Sequence, residues 1–210
     1  MLARICAAAI TGGARLLTGV RAEWRGVRPD KGPRVYFANH SSHGDFVLVW
    51  SVLPPALRRT TCPVAAADYW NRGRARRFIA DAVFSAVLIH RERVARKEDP
   101  LTAMIEALDR GRSLILFPEG TRNTTDEPLL PLKSGLYHLA RRRPDAQLVP
   151  VWIENISRVM PKGELLPIPL LCSVTLGPPL SRSDGEGKES FLARAAAALL
   201  ELRPGGRESS

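Results

Sequence analysis

Short β-forming runs that alternate with helical ones constrain this chain more than any other feature. Runs over 34–38, 63–67, 86–89, 113–117, 147–153 and 173–176 read as strands, and most of the stretches between them read as helices. Helical punctuation is clearest over 100–110. There Asp99 is a good N-cap, Pro100 suits the first helical position, and Gly111 is a stop. Leu101, Met104, Ile105 and Leu108 recur at the helical period. The helix after the first strand must stop at Pro54-Pro55, and 68–83 reads as a helix interrupted by Gly73. A further helix runs from Lys133 or Ser134 to Arg143, before Pro144, and 191–202 closes the pattern. The alternation predicts a single α/β domain whose central, largely parallel sheet is flanked by helices. In such sheets chemistry gathers at the loops that leave the strand C-termini, which puts His40, Arg91 and Glu119 at one rim.

With 210 residues, 45% of them hydrophobic and 25% charged, the chain suits one globular domain. Residues 1–22 read as an amphipathic helix, 23–203 as the folded domain and 204–210 as a flexible tail. The apolar N-terminal run is shorter than the ~20 residues a bilayer crossing needs. Arg4, Arg15 and Arg21 flank it, so packing on the domain and lying in a membrane interface both fit. A formal charge of +10 implies an anionic partner. No series of aromatics alternates with basic residues, so nucleic acid is not the expected partner. Cys6, Cys62 and Cys172 lie far apart without a Cys-x-x-Cys pair, which reads as reduced, buried thiols in a cytosol-facing protein.

Asn39-His40-Ser41-Ser42-His43-Gly44-Asp45 follows the first strand. Five residues along one helix would turn His40 and Asp45 about 140° apart. They meet if His40 lies in the turn leaving the strand and Asp45 in the first turn of the next helix. The carboxylate would then fix one imidazole nitrogen and leave the other to accept a proton. By itself the pair also fits a satisfied histidine at a polar helix entry. His40-x-x-His43 comes without a helical context or a third ligand, so no metal site is read there. Phe117-Pro118-Glu119-Gly120-Thr121-Arg122 follows another strand, and Leu132-Lys133-Ser134-Gly135 opens the next helix. Arginine's planar fork suits two phosphate oxygens, and a helix N-terminus offers them N–H groups.

These segments, with Val149-Pro150-Val151, occur in an order and at spacings that resemble the glycerophospholipid acyltransferases. The resemblance is to the 1-acylglycerol-3-phosphate O-acyltransferase (lysophosphatidate acyltransferase) family in particular, and covers roughly residues 20 to 180. That family's second motif, Gly-x-x-Phe-Ile-x-Arg, is matched in part by Ser85-Ala86-Val87-Leu88-Ile89-His90-Arg91. Ser85 replaces the glycine and Leu88 the phenylalanine, a departure that bears on the acceptor.

The resemblance implies the glycerolipid acyltransferase fold and a direct transfer without an acyl-enzyme. It assigns His40 as general base and Asp45 as its orienting carboxylate. Glu119, Gly120, Thr121 and Arg122 would form the acceptor site, with Arg91 and Lys133 completing its phosphate pocket, and Pro150 would be a shaping residue of the fourth motif. Backbone N–H groups near the motif turn would stabilise the oxyanion. No cofactor is implied; acyl-CoA or an acyl carrier protein thioester is the co-substrate. The expected reaction makes phosphatidate from lysophosphatidate, peripherally on the cytoplasmic face of an anionic membrane. Lyso-ornithine lipid, glycerol 3-phosphate or another lysophospholipid are alternative acceptors, and a non-catalytic membrane-binding protein is an alternative class. Of three basic clusters, Arg72/Arg74/Arg76/Arg77 with Tyr69, Trp70 and Phe78 suits anionic lipid. Arg91/Arg93/Arg96/Lys97 suits coenzyme A phosphates or a carrier protein, and Arg141/Arg142/Arg143 is a third.

Overall fold

A computed structural model describes residues 1–30, 32–89, 99–154 and 171–204. Seven strands form one sheet: β1 (Arg21–Trp24), β2 (Arg34–Ala38), β3 (Thr61–Ala66), β4 (Val87–Ile89), β5 (Ser113–Leu116), β6 (Gln147–Glu154) and β7 (Ser173–Leu176). Their order is β1-β7-β6-β2-β5-β3-β4. Every pairing is parallel except β6 with β7. The helices are α1 (Leu2–Thr18), α2 (Asp45–Val52), α3 (Pro55–Arg58), α4 (Ala67–Trp70), α5 (Arg74–Phe78), α6 (Pro100–Asp109), α7 (Gly135–Arg142) and α8 (Lys188–Leu200), with a π-helical turn over Ile79–Val83.

Side chains alternate across a strand, so β2 feeds two cores. Val35 and Phe37 join Leu114 and Leu148 under Met104, Leu108, Leu136, Leu139 and Phe191. Tyr36 and Ala38 join Ile115, Val149 and Val151 under Leu48, Val49, Trp50 and Leu53. The sheet is thus buried on both faces, as a parallel sheet requires. The single α/β domain with a largely parallel, helix-flanked sheet is what the alternation predicts.

Local chemistry explains most boundaries. The Asp99 side chain accepts a hydrogen bond from the Leu101 N–H at 3.1 Å and starts α6. Pro150 sits inside β6 opposite Phe37. Its carbonyl accepts from the Gly177 N–H at 2.9 Å, just past the end of β7. The N and carbonyl of one strand residue point to the same side, so the proline's missing donor faces the place where the ladder has ended.

Three details differ from the sequence expectation. The N-terminal helix ends at Thr18 rather than 22, because Gly19 turns left-handed (φ 52°) and its N–H caps the Arg15 carbonyl. Arg21 and Ala22 then belong to β1, an edge strand too short and polar to show an alternating pattern. The 68–83 stretch is interrupted at Gly73 as expected (φ 96°), but beyond it α5 passes into a π-turn over Ile79–Val83 rather than continuing as α-helix. Cys62 and Cys172 are buried, as expected, while Cys6 is half-buried. His90, Arg91, Arg93, Arg96, Lys97 and residues 205–210 lie outside the described residues.

Candidate active site

β2 and β5 lie side by side, so the loops leaving them meet at the sheet's rim. The β2 loop is fixed first by Asn39. Its amide donates to the Ile153 carbonyl at 3.0 Å and accepts from the Ile153 N–H at 2.7 Å, which ties the loop to β6. His40 follows, and its Nδ1 is 2.8 Å from Asp45 Oδ2. The same Oδ2 accepts from the N–H groups of Ser41 (2.7 Å) and Ser42 (2.9 Å). Asp45 is buried in the first turn of α2, where the helix N-terminus favours a negative charge. A carboxylate at Nδ1 makes that nitrogen the N–H donor and leaves Nε2 as the acceptor of a proton. The imidazole stacks on Phe117, centroids 4.2 Å apart and planes 21° apart, and stays 16% exposed to incoming substrate.

Glu119 ties the two loops together. Its Oε1 accepts from the His40 N–H at 2.6 Å and its Oε2 from the Leu130 N–H at 2.9 Å. The residue is 1% exposed, and burial raises its carboxyl above the ordinary range against the pull of those two N–H bonds. Glu119 thus lies at the rim where the acceptor site is expected, with its carboxylate turned inward. This carboxylate braces the His40 turn, because both oxygens are taken by backbone donors.

The rest of the β5 loop is more open. Gly120 takes φ 72°, and a Cβ there would stand 3.3 Å from the Lys133 side chain, so the glycine lets that lysine lie across the turn. The Lys133 N–H donates to the Pro118 carbonyl at 2.8 Å, and the Asn123 N–H to the His40 carbonyl at 2.6 Å. Thr121, Arg122 and Lys133 are exposed around this frame. His43 feels Arg122: burial first, then the charges of Arg122 and His40, hold its imidazole below the usual range. Burial and then the Asp45 charge push the Cys172 thiol up to about 11.

His40, Asp45, Glu119, Gly120 and Lys133 come together at this rim, and Arg91 lies outside the described residues. Asn39 and Phe117, quoted within the motifs but given no role there, support the site, as does Asn123, whose one signal was its position directly after Arg122. Among the described residues no three His, Cys, Asp or Glu side chains converge as metal ligands.

A family model described as Acyltransferase matches residues 20–154, the stretch that holds this rim. The chain belongs to that family. It is 30% identical over 132 residues to a 1-acyl-sn-glycerol-3-phosphate acyltransferase of Saccharomyces cerevisiae, covering 62% of this chain and 41% of the relative. A Salmonella typhimurium protein of the same name is 27% identical over 180 residues, covering 82% of this chain and 67% of that one. A Helicobacter pylori protein of that name is 31% identical over 126 residues, covering 60% and 50%. This acyltransferase-family chain thus spans well under two thirds of the yeast and Helicobacter relatives. In fold it resembles the crystal structure of the 1-acyl-sn-glycerophosphate (LPA) acyltransferase from Thermotoga maritima. The TM-score is 0.73 at 19% identity, over 99% of this chain and 83% of the other.

Proposed function

We propose that this protein transfers a fatty acyl group from an acyl-CoA or acyl carrier protein thioester to the free hydroxyl of lysophosphatidate, giving phosphatidate. The observation that carries the reading is His40 Nδ1 held 2.8 Å from a buried Asp45 carboxylate beside a rim carrying Arg122 and Lys133. The names of the relatives supply the acceptor class. His40 Nε2 takes the proton of the acceptor hydroxyl as its oxygen attacks the thioester carbonyl carbon. The C–S bond then breaks, and the leaving thiolate takes the proton back from the imidazolium. Asp45 stabilises that imidazolium and keeps the ring in the useful tautomer.

Among the turn's backbone donors, Ser41 and Ser42 are committed to Asp45, and the Gly44 N–H to the Ser42 hydroxyl at 3.3 Å. Among the described residues the His43 N–H has no acceptor, and it serves the oxyanion. Arg122 and Lys133 meet the acceptor phosphate, one as a planar fork and the other as a point charge. A lipid acceptor fits a protein lying on a membrane. Leu2, Ile5, Leu16 and Leu17 stand exposed along α1, while Ala7 and Ile10 pack into the core. Among the described residues no helix is long and apolar enough to cross a membrane.

Purified protein supplied with acyl thioesters and a panel of acceptors tests the reading, with products identified by mass. Phosphatidate should dominate over products of glycerol 3-phosphate, lyso-ornithine lipid and other lysophospholipids. Transfer to one of these in preference to lysophosphatidate would contradict it.

A further inference from the structure

Beside the base, the rim carries a stack of side chains that neither the oriented histidine nor the Arg122 loop accounts for. The rings of His43 and Tyr69 lie 5.5 Å apart with planes 17° apart, and Arg76 Cζ lies 4.7 Å from the Tyr69 centroid. The support beneath is deliberate packing. Trp70, next to Tyr69, meets Phe46 of α2 edge-on at 5.9 Å and Phe84 at 6.4 Å, which pins α4 over the His40 turn. Gly73, at φ 96°, then turns the chain back so that Arg76 returns over Tyr69. In an unbroken helix positions 69 and 76 would stand two turns, about 10 Å, apart.

The stack ends in the Arg76 guanidinium. Arg77 pairs with Asp81 at 3.5 Å, whereas Arg76 makes no ion pair among the described residues. A guanidinium over an aromatic face is held in orientation while its N–H groups remain available. At the other end, the loop that carries Arg122 is fastened to the His40 turn, where the Asn123 N–H donates to the His40 carbonyl at 2.6 Å. The stacked side chains therefore run His43, Tyr69, Arg76, out from the turn that holds His40 and adjoins the Arg122 loop.

We propose that Arg76, carried on the His43–Tyr69 stack, is a second guanidinium for the acceptor's phosphate and works with Arg122 to fix the lysolipid against His40. This rests on the reading that the acceptor bears a phosphate. A phosphomonoester presents three oxygens, more than one Arg fork can occupy, so a second fork from another element adds grip and fixes direction. The phosphates of the thioester donor share this chemistry, and kinetics separate the two sources.

Arg76→Ala and Tyr69→Ala are assayed with a soluble short-chain lysophosphatidate, and KM is determined separately for acceptor and donor. The acceptor KM should rise about 5–20-fold in each, with kcat within about twofold and donor KM unchanged. Arg76→Lys should recover part of the loss, and Arg110→Ala, a surface charge paired with Glu106 at the opposite end of β5, should behave as wild type. An unaltered acceptor KM in Arg76→Ala, while Arg122→Ala raises it, overturns this inference and leaves the acceptor reading standing. A raised donor KM with an unaltered acceptor KM also overturns it and moves the stack to the donor. Wild-type protein that acylates only phosphate-free acceptors overturns both.

Discussion

Glu119 shows how far a residue's chemistry depends on where its side chain points. A sequence reader can see that His40 and Asp45 have a spacing at which a strand-to-helix turn would join them, and the 2.8 Å contact is that turn. Nothing local reveals that the Glu119 carboxylate spans the N–H groups of residues 40 and 130, since the first lies 79 positions away. An amide offers one acceptor oxygen where two donors need one each. Glu119→Gln should therefore cost about 1–3 kcal/mol at neutral pH and loosen the His40 turn, measured by chemical denaturation. The pH dependence has a definite sign. Burial raises the folded-state pKa, so the folded protein holds this proton more tightly than the unfolded chain. The stability tied to the group is full at acid pH and falls as pH rises from the ordinary carboxylate range through the raised folded value. In Glu119→Gln that part of the stability–pH curve should be flat, and an unchanged slope would reassign the proton to another group.

At the scale of elements, α1 depends on a polar fastening as well as on its apolar face. Arg15 Nη2 donates to the Ser51 carbonyl at 2.7 Å, and Arg58 Nη2 donates to the same oxygen at 3.0 Å and to the Leu53 carbonyl at 2.8 Å. Two guanidiniums thus cap the C-terminal end of α2, where the helix dipole favours cations. Arg15→Ala should leave the sheet intact but speed amide exchange across Leu2–Thr18 about tenfold relative to β2. Equal exchange in variant and wild type would show that apolar packing alone holds the helix. The same scale explains what a sequence can announce. Asp99, Pro100 and Gly111 mark α6 by local chemistry, and Asp99 does accept the capping bond. β1 carries no such mark, because it is ordered only by pairing with β7, 152 positions further on from Arg21 to Ser173. The break in 68–83 was visible as Gly73, but its consequence, Arg76 over Tyr69, depends on where Trp70 finds its aromatic partners.

The whole molecule combines a net charge of +10 with exposed leucines on α1, a pairing suited to an anionic bilayer. Binding to vesicles containing anionic phospholipid should fall steeply between about 0.05 and 0.5 M salt, as charges more than a Debye length apart are screened. Leu16→Glu should weaken it at every salt concentration, and salt-independent binding to neutral vesicles would argue against the electrostatic part. On the proposed function, this arrangement serves to bring a lipid hydroxyl to one imidazole. The most direct test of that claim is the single-turnover rate of acyl transfer with His40→Ala at saturating lysophosphatidate and thioester, alongside unchanged folding and vesicle binding. The rate should fall by about 10³-fold or more, with the thioester left intact. Transfer within a few fold of wild type would show that His40 is not the base.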